Sequence, residues 1–144
     1  MVERVHPIVG TWGLQSFTES DIQTKSVAYP MGEKPKATVI YTASGHVATI
    51  FTAADRLAPA ESRPTDREAI QLFRTMIAFA GRYEVDDDEL IYHPEISWNE
   101  AWNGTKQARR FEISGDVLKI SFMPAAGTLT EAVAILTMTW NRRT

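Results

Sequence analysis

Short runs of β-branched and aromatic residues, separated by turns bearing glycine or Asp and Asn, recur along the whole chain, and no helices alternate with them. That rhythm constrains the fold more than any other feature. Antiparallel barrels and sandwiches are built from such runs, whereas parallel α/β folds place a helix between successive strands. Strand character is read over residues 8–18, 26–29, 37–42, 46–51, 81–85, 90–98, 106–114, 117–123 and 132–140. The expected count is therefore roughly eight to ten strands. Ser44-Gly45 reverses 37–42 into 46–51 as a hairpin, and Gly115-Asp116 makes a second compact turn.

One helix interrupts the strands. Thr65-Asp66-Arg67-Glu68 has the form of a capping box, in which hydroxyl and carboxylate each meet a free N–H of the first turn. Ile70, Phe73, Met76, Ile77 and Ala80 then follow at helical spacing. The pattern predicts one long mid-chain α-helix, packed on the sheet or closing a cavity mouth.

A chain of 144 residues can bury one core, so a single domain over 1–144 is expected. Strands joined in sequence by hairpins suit an all-β, antiparallel, up-and-down β-barrel, whose interior holds side chains or one small ligand. The chain ends favour closure. Gly10 and Trp12 stand near one end and Arg142 near the other. A guanidinium can stack on an indole and donate to nearby carbonyls, sealing the barrel.

Charge and composition narrow the partners. With 15 Lys+Arg against 18 Asp+Glu, the net charge is −3, which argues against nucleic acid and anionic membranes as partners. No apolar run reaches the length of a bilayer span, and residues 1–7 lack the apolar core of a secretion signal, so a cytoplasmic protein is expected. The chain has no cysteine, hence no disulfide, thiolate nucleophile or cysteine-based zinc site. His6, His46 and His93 have no ligand spacing, and no phosphate-binding glycine loop or nucleophile elbow occurs, so neither metal nor cofactor is expected. Asp86-Asp87-Asp88-Glu89 reads as a solvated turn rather than a calcium loop.

Several stretches resemble a known family. Gly10-Thr11-Trp12 is similar to the first lipocalin signature. Tyr29-Pro30-Met31-Gly32-Glu33, Ile40-Tyr41-Thr42-Ala43-Ser44-Gly45-His46, Ala54-Asp55-Arg56, Phe79-Ala80-Gly81-Arg82-Tyr83-Glu84-Val85 and residues 109–118 resemble the small microbial lipocalin-like domain family in order. The helix lies mid-chain here, whereas in secreted lipocalins it follows the last strand. The resemblance implies a lipocalin-like barrel with a pocket for a small, largely apolar molecule. It implies no universal activity.

Period-two alternation sorts the polar candidates. Along 90–98, Leu90, Tyr92, Pro94, Ile96 and Trp98 share one face, and Ile91, His93, Glu95 and Ser97 the other. Were the second face inward, His93 and Glu95 would share a cavity and could be tuned for proton transfer; otherwise both are solvated. Arg109 and Arg110 point to opposite sides, so one faces in and needs a carboxylate, an anionic ligand or a wet rim. Tyr83 and Tyr41 could orient a ligand or bond to the core. Trp98 and Trp102 beside a turn, with Phe51 and Phe73, offer flat walls for an aromatic guest.

Two functions from different classes follow. In one, the barrel binds a small hydrophobic or aromatic molecule, with Tyr41, Trp98, Trp102, Arg109, Phe51 and Phe73 as contacts. In the other, it is a cofactor-independent isomerase, cyclase or hydro-lyase, with His93, Glu95, Tyr83 and Arg110 as acid/base groups. A homodimer joined through an exposed sheet face is a third alternative.

Overall fold

The computed structural model describes residues 5–123 and 134–144. The strands are β1 (Gly10–Asp21), β2 (Val27–Ala28), β3 (Lys36–Tyr41), β4 (His46–Thr52), β5 (Met76–Asp86), β6 (Glu89–Ser97), β7 (Gln107–Ser114), β8 (Val117–Phe122) and β9 (Ala134–Arg143). One helix, α1 (Asp66–Arg74), links β4 to β5, and a 3-10 turn (Glu100–Trp102) links β6 to β7. The strand order is β2-β1-β3-β4-β5-β6-β7-β8-β9, every pair antiparallel, and β1 also pairs with β9. Setting aside β2, which pairs only with Glu19 and Ser20 of β1, eight strands close into an up-and-down barrel. The expected architecture is present. Of the expected last strand, residues 132 and 133 lie outside the described residues.

Closure buries alternate side chains. Strands β3 and β4 alternate between buried side chains and more exposed ones, with Val39, Tyr41, Val47, Thr49 and Phe51 pointing in. The outer faces of the same strands leave Ile40 and Ile50 exposed. At one end Trp12 is fully buried, and its Nε1 donates to the Ile8 carbonyl at 2.8 Å. The Arg142 guanidinium lies 4.2 Å from the Trp12 ring centroid. It donates to the carbonyls of Val9 (3.1 Å) and Pro7 (2.8 Å) and pairs with Asp116 (3.2 Å). This is the expected seal, although Arg142 sits within β9 rather than beyond it. Gly10 makes the approach possible: its φ is +137°, and a Cβ there would stand 3.1 Å from Arg142 Nη1.

The expected long helix is shorter, and part of it is strand. The capping box forms as expected, with Glu68 N–H donating to Thr65 Oγ1 and Thr65 N–H to Glu68 Oε1. The helix then stops at Arg74, where the Thr75 hydroxyl donates to the Gln71 carbonyl at 2.6 Å. Met76, Ile77 and Ala80 belong to β5, opposite Thr52, Phe51 and Ala48 of β4. Pairing with β4 outweighs a local helical spacing, since the ladder satisfies the backbone and buries Phe79 in the core.

The register of β6 also departs from simple alternation. Gly81 opposes Pro94 and Ala80 opposes Ile96, so Glu95 is an extra, bulged residue. Leu90, Tyr92 and Pro94 are buried, but beyond the bulge Ile96 is 72% exposed. Pro94, which lacks an N–H for the ladder, is tolerated beside this irregularity. The backbones here approach so closely that a Cβ on Gly81 would collide with the His93 carbonyl oxygen and lie 2.9 Å from the Glu95 nitrogen. Gly81→Ala should therefore destabilise the fold by about 1–3 kcal/mol, the usual cost of overpacking. Urea melts would measure it, and an unchanged midpoint would refute the tight approach.

Candidate functional site

The barrel encloses a cavity of about 70 Å³. Every one of its eight strands contributes to the wall, from Phe17 of β1 to Met138 and Trp140 of β9. Most of the wall is aromatic or aliphatic, including Phe51, Phe79, Ile120 and Phe122. Phe51, Phe79, Tyr92, Ile120 and Trp140 are buried, whereas Ile77, Trp102, Gln107, Arg109 and Phe122 are half-buried. The cavity thus reaches the surface beside those five residues, at the end opposite the Trp12 seal.

Aromatic packing shapes this rim. Trp102 meets Trp98 edge-on at 4.7 Å between centroids and lies 5.9 Å from Phe79. Phe73 of α1 reaches over Trp98 at 6.2 Å, and both stand behind Trp102 rather than on the cavity wall. The turn that carries Trp102 is held locally. Asn99 Oδ1 accepts from the Ala101 N–H at 3.1 Å, and the Thr105 hydroxyl donates to the Trp102 carbonyl at 2.6 Å.

Polar groups on the wall are few. Arg109 is the inward arginine, its guanidinium carbon 3.8 Å from the Phe122 ring centroid. It donates to the Ala108 carbonyl and to Gln107 Oε1, each at 3.0 Å. Burial lowers its pKa, an effect opposed by nearby Tyr92. A guanidinium nonetheless stays charged at neutral pH. The Tyr92 hydroxyl lies 2.6 Å from that of Tyr41, deep in the barrel. Burial pushes Tyr92 up to about 12, with the Tyr41 hydroxyl and the Arg109 charge acting against it. Burial raises Tyr41 well above the ordinary phenol value, and the neighbouring Tyr92 adds to the shift. Both phenols are therefore neutral at pH 7.

The family comparison bears on this same barrel. The sequence profile of the lipocalin-like domain family matches residues 9–143, nearly the whole chain. The chain belongs to that family. No curated protein and no solved structure shows a significant match to it. Among the described residues no helix of this lipocalin-like barrel is long and apolar enough to cross a membrane.

None of the four proposed acid/base residues lines the cavity, so they do not converge there as the enzyme alternative requires. His93 is on the outer face with Nε2 3.3 Å from Glu84, and Glu95 is exposed with Arg82 at 3.7 Å. Arg110 is exposed and pairs with Asp88 at 2.7 Å. The reason is strand phase: Leu90, Tyr92 and Pro94 supply the inward face of β6, and Phe111 and Ile113 that of β7, which leaves His93, Glu95 and Arg110 outside. Tyr83 faces the core but does not line the cavity; its hydroxyl donates to the Thr42 carbonyl at 2.7 Å, with its ring edge-on to Tyr41 at 5.1 Å.

Of the expected ligand contacts, Phe51, Trp102 and Arg109 line the cavity. Tyr41 stands behind Tyr92, and Trp98 and Phe73 stand behind Trp102. Gln107 was not among the expected contacts, although it shares the alternation of Arg109, Phe111 and Ile113. Ile77 and Phe79 also line the cavity, from a segment whose spacing reads as helix but which forms β5.

Proposed function

We propose that this lipocalin-like barrel binds a small, largely apolar or aromatic molecule between its eight strands. The observation that carries the reading is the cavity, about 70 Å³ of space with a wall mainly of hydrocarbon and aromatic rings. Pockets for drug-sized ligands hold roughly 300–1,000 Å³. The space is also below the roughly 150 Å³ that takes up benzene, so a ring enters as Trp102 and its neighbours swing aside. Burying apolar surface drives its entry, at about 25 cal/mol per Å² removed from water.

The rival reading, a cofactor-independent isomerase, cyclase or hydro-lyase, has less support. Acid/base catalysis needs a group that accepts a proton within reach of the guest. His93 and Glu95 point away, and the ionisable groups on the described wall, Tyr92 and Arg109, are both protonated at neutral pH.

Binding is tested by thermal denaturation with neutral aromatics such as benzyl alcohol. A ligand at about tenfold over its Kd should stabilise the protein by roughly 1.4 kcal/mol, a rise of several degrees. Ile77→Trp, which fills the half-buried rim without enlarging the sealed core, should abolish that rise. Equal responses from wild type and Ile77→Trp would sink the reading, as would no response to any neutral aromatic.

A further inference from the structure

Arg109 differs from the arginines that form ion pairs on the barrel. Arg82, Arg110 and Arg142 each stand within 4 Å of a carboxylate, whereas among the described residues no carboxylate lies that close to Arg109. Among the described residues it is also the only charged one on the cavity wall. Its two acceptors among the described residues, the Ala108 carbonyl and Gln107 Oε1, are neutral. A guanidinium has five N–H donors, so most of this fork is left to other acceptors. A charge drawn partly out of water is costly unless paired, and a bidentate carboxylate is its closest geometric match.

A second, independent observation lies on the same wall. Trp140 is 1% exposed, and its Nε1 has no hydrogen-bond partner among the described residues. Indole nitrogen can only donate, so a neutral oxygen on a guest would satisfy it. The same wall carries rings suited to an aromatic body, with Phe51 edge-on to Trp140 at 5.3 Å and Phe79 edge-on to Tyr92 at 5.3 Å.

We infer that the guest is a small aromatic carboxylate carrying a hydroxyl or carbonyl oxygen, its carboxylate held by Arg109 and its neutral oxygen by Trp140. This rests on the cavity-binding reading above and adds the chemistry of the guest. The rim position of Arg109 keeps the ionic head near water while the ring enters the barrel, so the acid need not shed its whole hydration shell. Gln107 acts as a positioning residue, since its amide oxygen holds one guanidinium nitrogen and so aims the fork.

The experiment compares 4-hydroxybenzoate, benzoate and 4-hydroxybenzyl alcohol by titration calorimetry at neutral pH. Wild type should bind 4-hydroxybenzoate about tenfold to a hundredfold more tightly than the alcohol, and benzoate should fall between them. Arg109→Met should bring the affinity ratio of acid to alcohol down to about one. Arg109→Lys, which keeps the charge without the fork, should retain only part of the preference. Trp140→Phe should erase the advantage of 4-hydroxybenzoate over benzoate. If the alcohol binds as well as the acid, the carboxylate inference fails and cavity binding stands. If none of the three binds, and neutral aromatics do not raise the melting temperature either, both fail. The wild-type comparison decides the matter even if Arg109→Met does not fold.

Discussion

Trp12→Ala should lower the thermal midpoint by roughly 10–20 °C, the largest loss expected from a single substitution in this chain. Replacing a buried Trp by Ala costs about 3–5 kcal/mol in a close-packed core, and each kcal/mol moves the midpoint of a domain this size by about 4 °C. The variant also strands the Ile8 carbonyl that accepts from the indole, and removes the surface on which Arg142 lies. Arg142→Ala should cost less, about 1–2 kcal/mol. Its cation–π contact and carbonyl bonds are lost, but its pairing with Asp116 is too exposed to contribute much. Calorimetry on the two variants checks the ranking. A Trp12→Ala protein no less stable than Arg142→Ala would mean that the seal is not where the core is anchored.

The second large effect is alkaline. Tyr92 titrates at about 12 in the fold, and Tyr41 well above its ordinary value, chiefly because burial penalises the phenolate. A raised folded-state pKa favours the native state fully below the unfolded value near 10, and that advantage disappears as pH rises through the folded value. Stability should therefore be flat up to about pH 9. It should then fall between about pH 10 and pH 12, by about 1.4 kcal/mol per pH unit from Tyr92 alone, and more steeply with the raised Tyr41. Of the four tyrosines, Tyr41 and Tyr92 should develop tyrosinate absorbance only as the chain unfolds. Tyr41→Phe or Tyr92→Phe alone leaves the other hydroxyl unpaired, at about 1–3 kcal/mol. The double variant should cost less than the sum and should resist alkali. Reversible ionisation of all four tyrosines below pH 11 in the folded protein would contradict the buried pair.

Much of the barrel was legible because its signals are local. Alternation in residues 37–42 and 46–51, the hairpin between them and the capping box at Thr65 each arise within a few residues, and the structure contains all three. The seal was legible for another reason: glycine, indole and guanidinium form a set with one obvious geometric use. What escaped depended on partners distant in sequence. Met76, Ile77 and Ala80 satisfy helical spacing, yet Ile77 and Phe79 also alternate with Ala78 and Ala80, and only β4 decides between the patterns. The faces of β6 could not be read past Pro94, because the bulge at Glu95 is set by the approach of Gly81 from β5. The inward arginine was recoverable, since Arg109 shares its phase with Phe111 and Ile113 while Arg110 shares its own with Glu112.

The two ends of the barrel carry different duties, and evolution can act on them separately. Trp12 and Arg142 tie the first strand to the last, so changes there threaten the whole molecule. Trp102, Gln107 and Arg109 sit on a turn and at the start of one strand, half in water, where most replacements leave the hydrogen-bonded cylinder standing. A lineage could therefore trade one guest for another by editing a few positions at the doorway, with little risk to the house behind it.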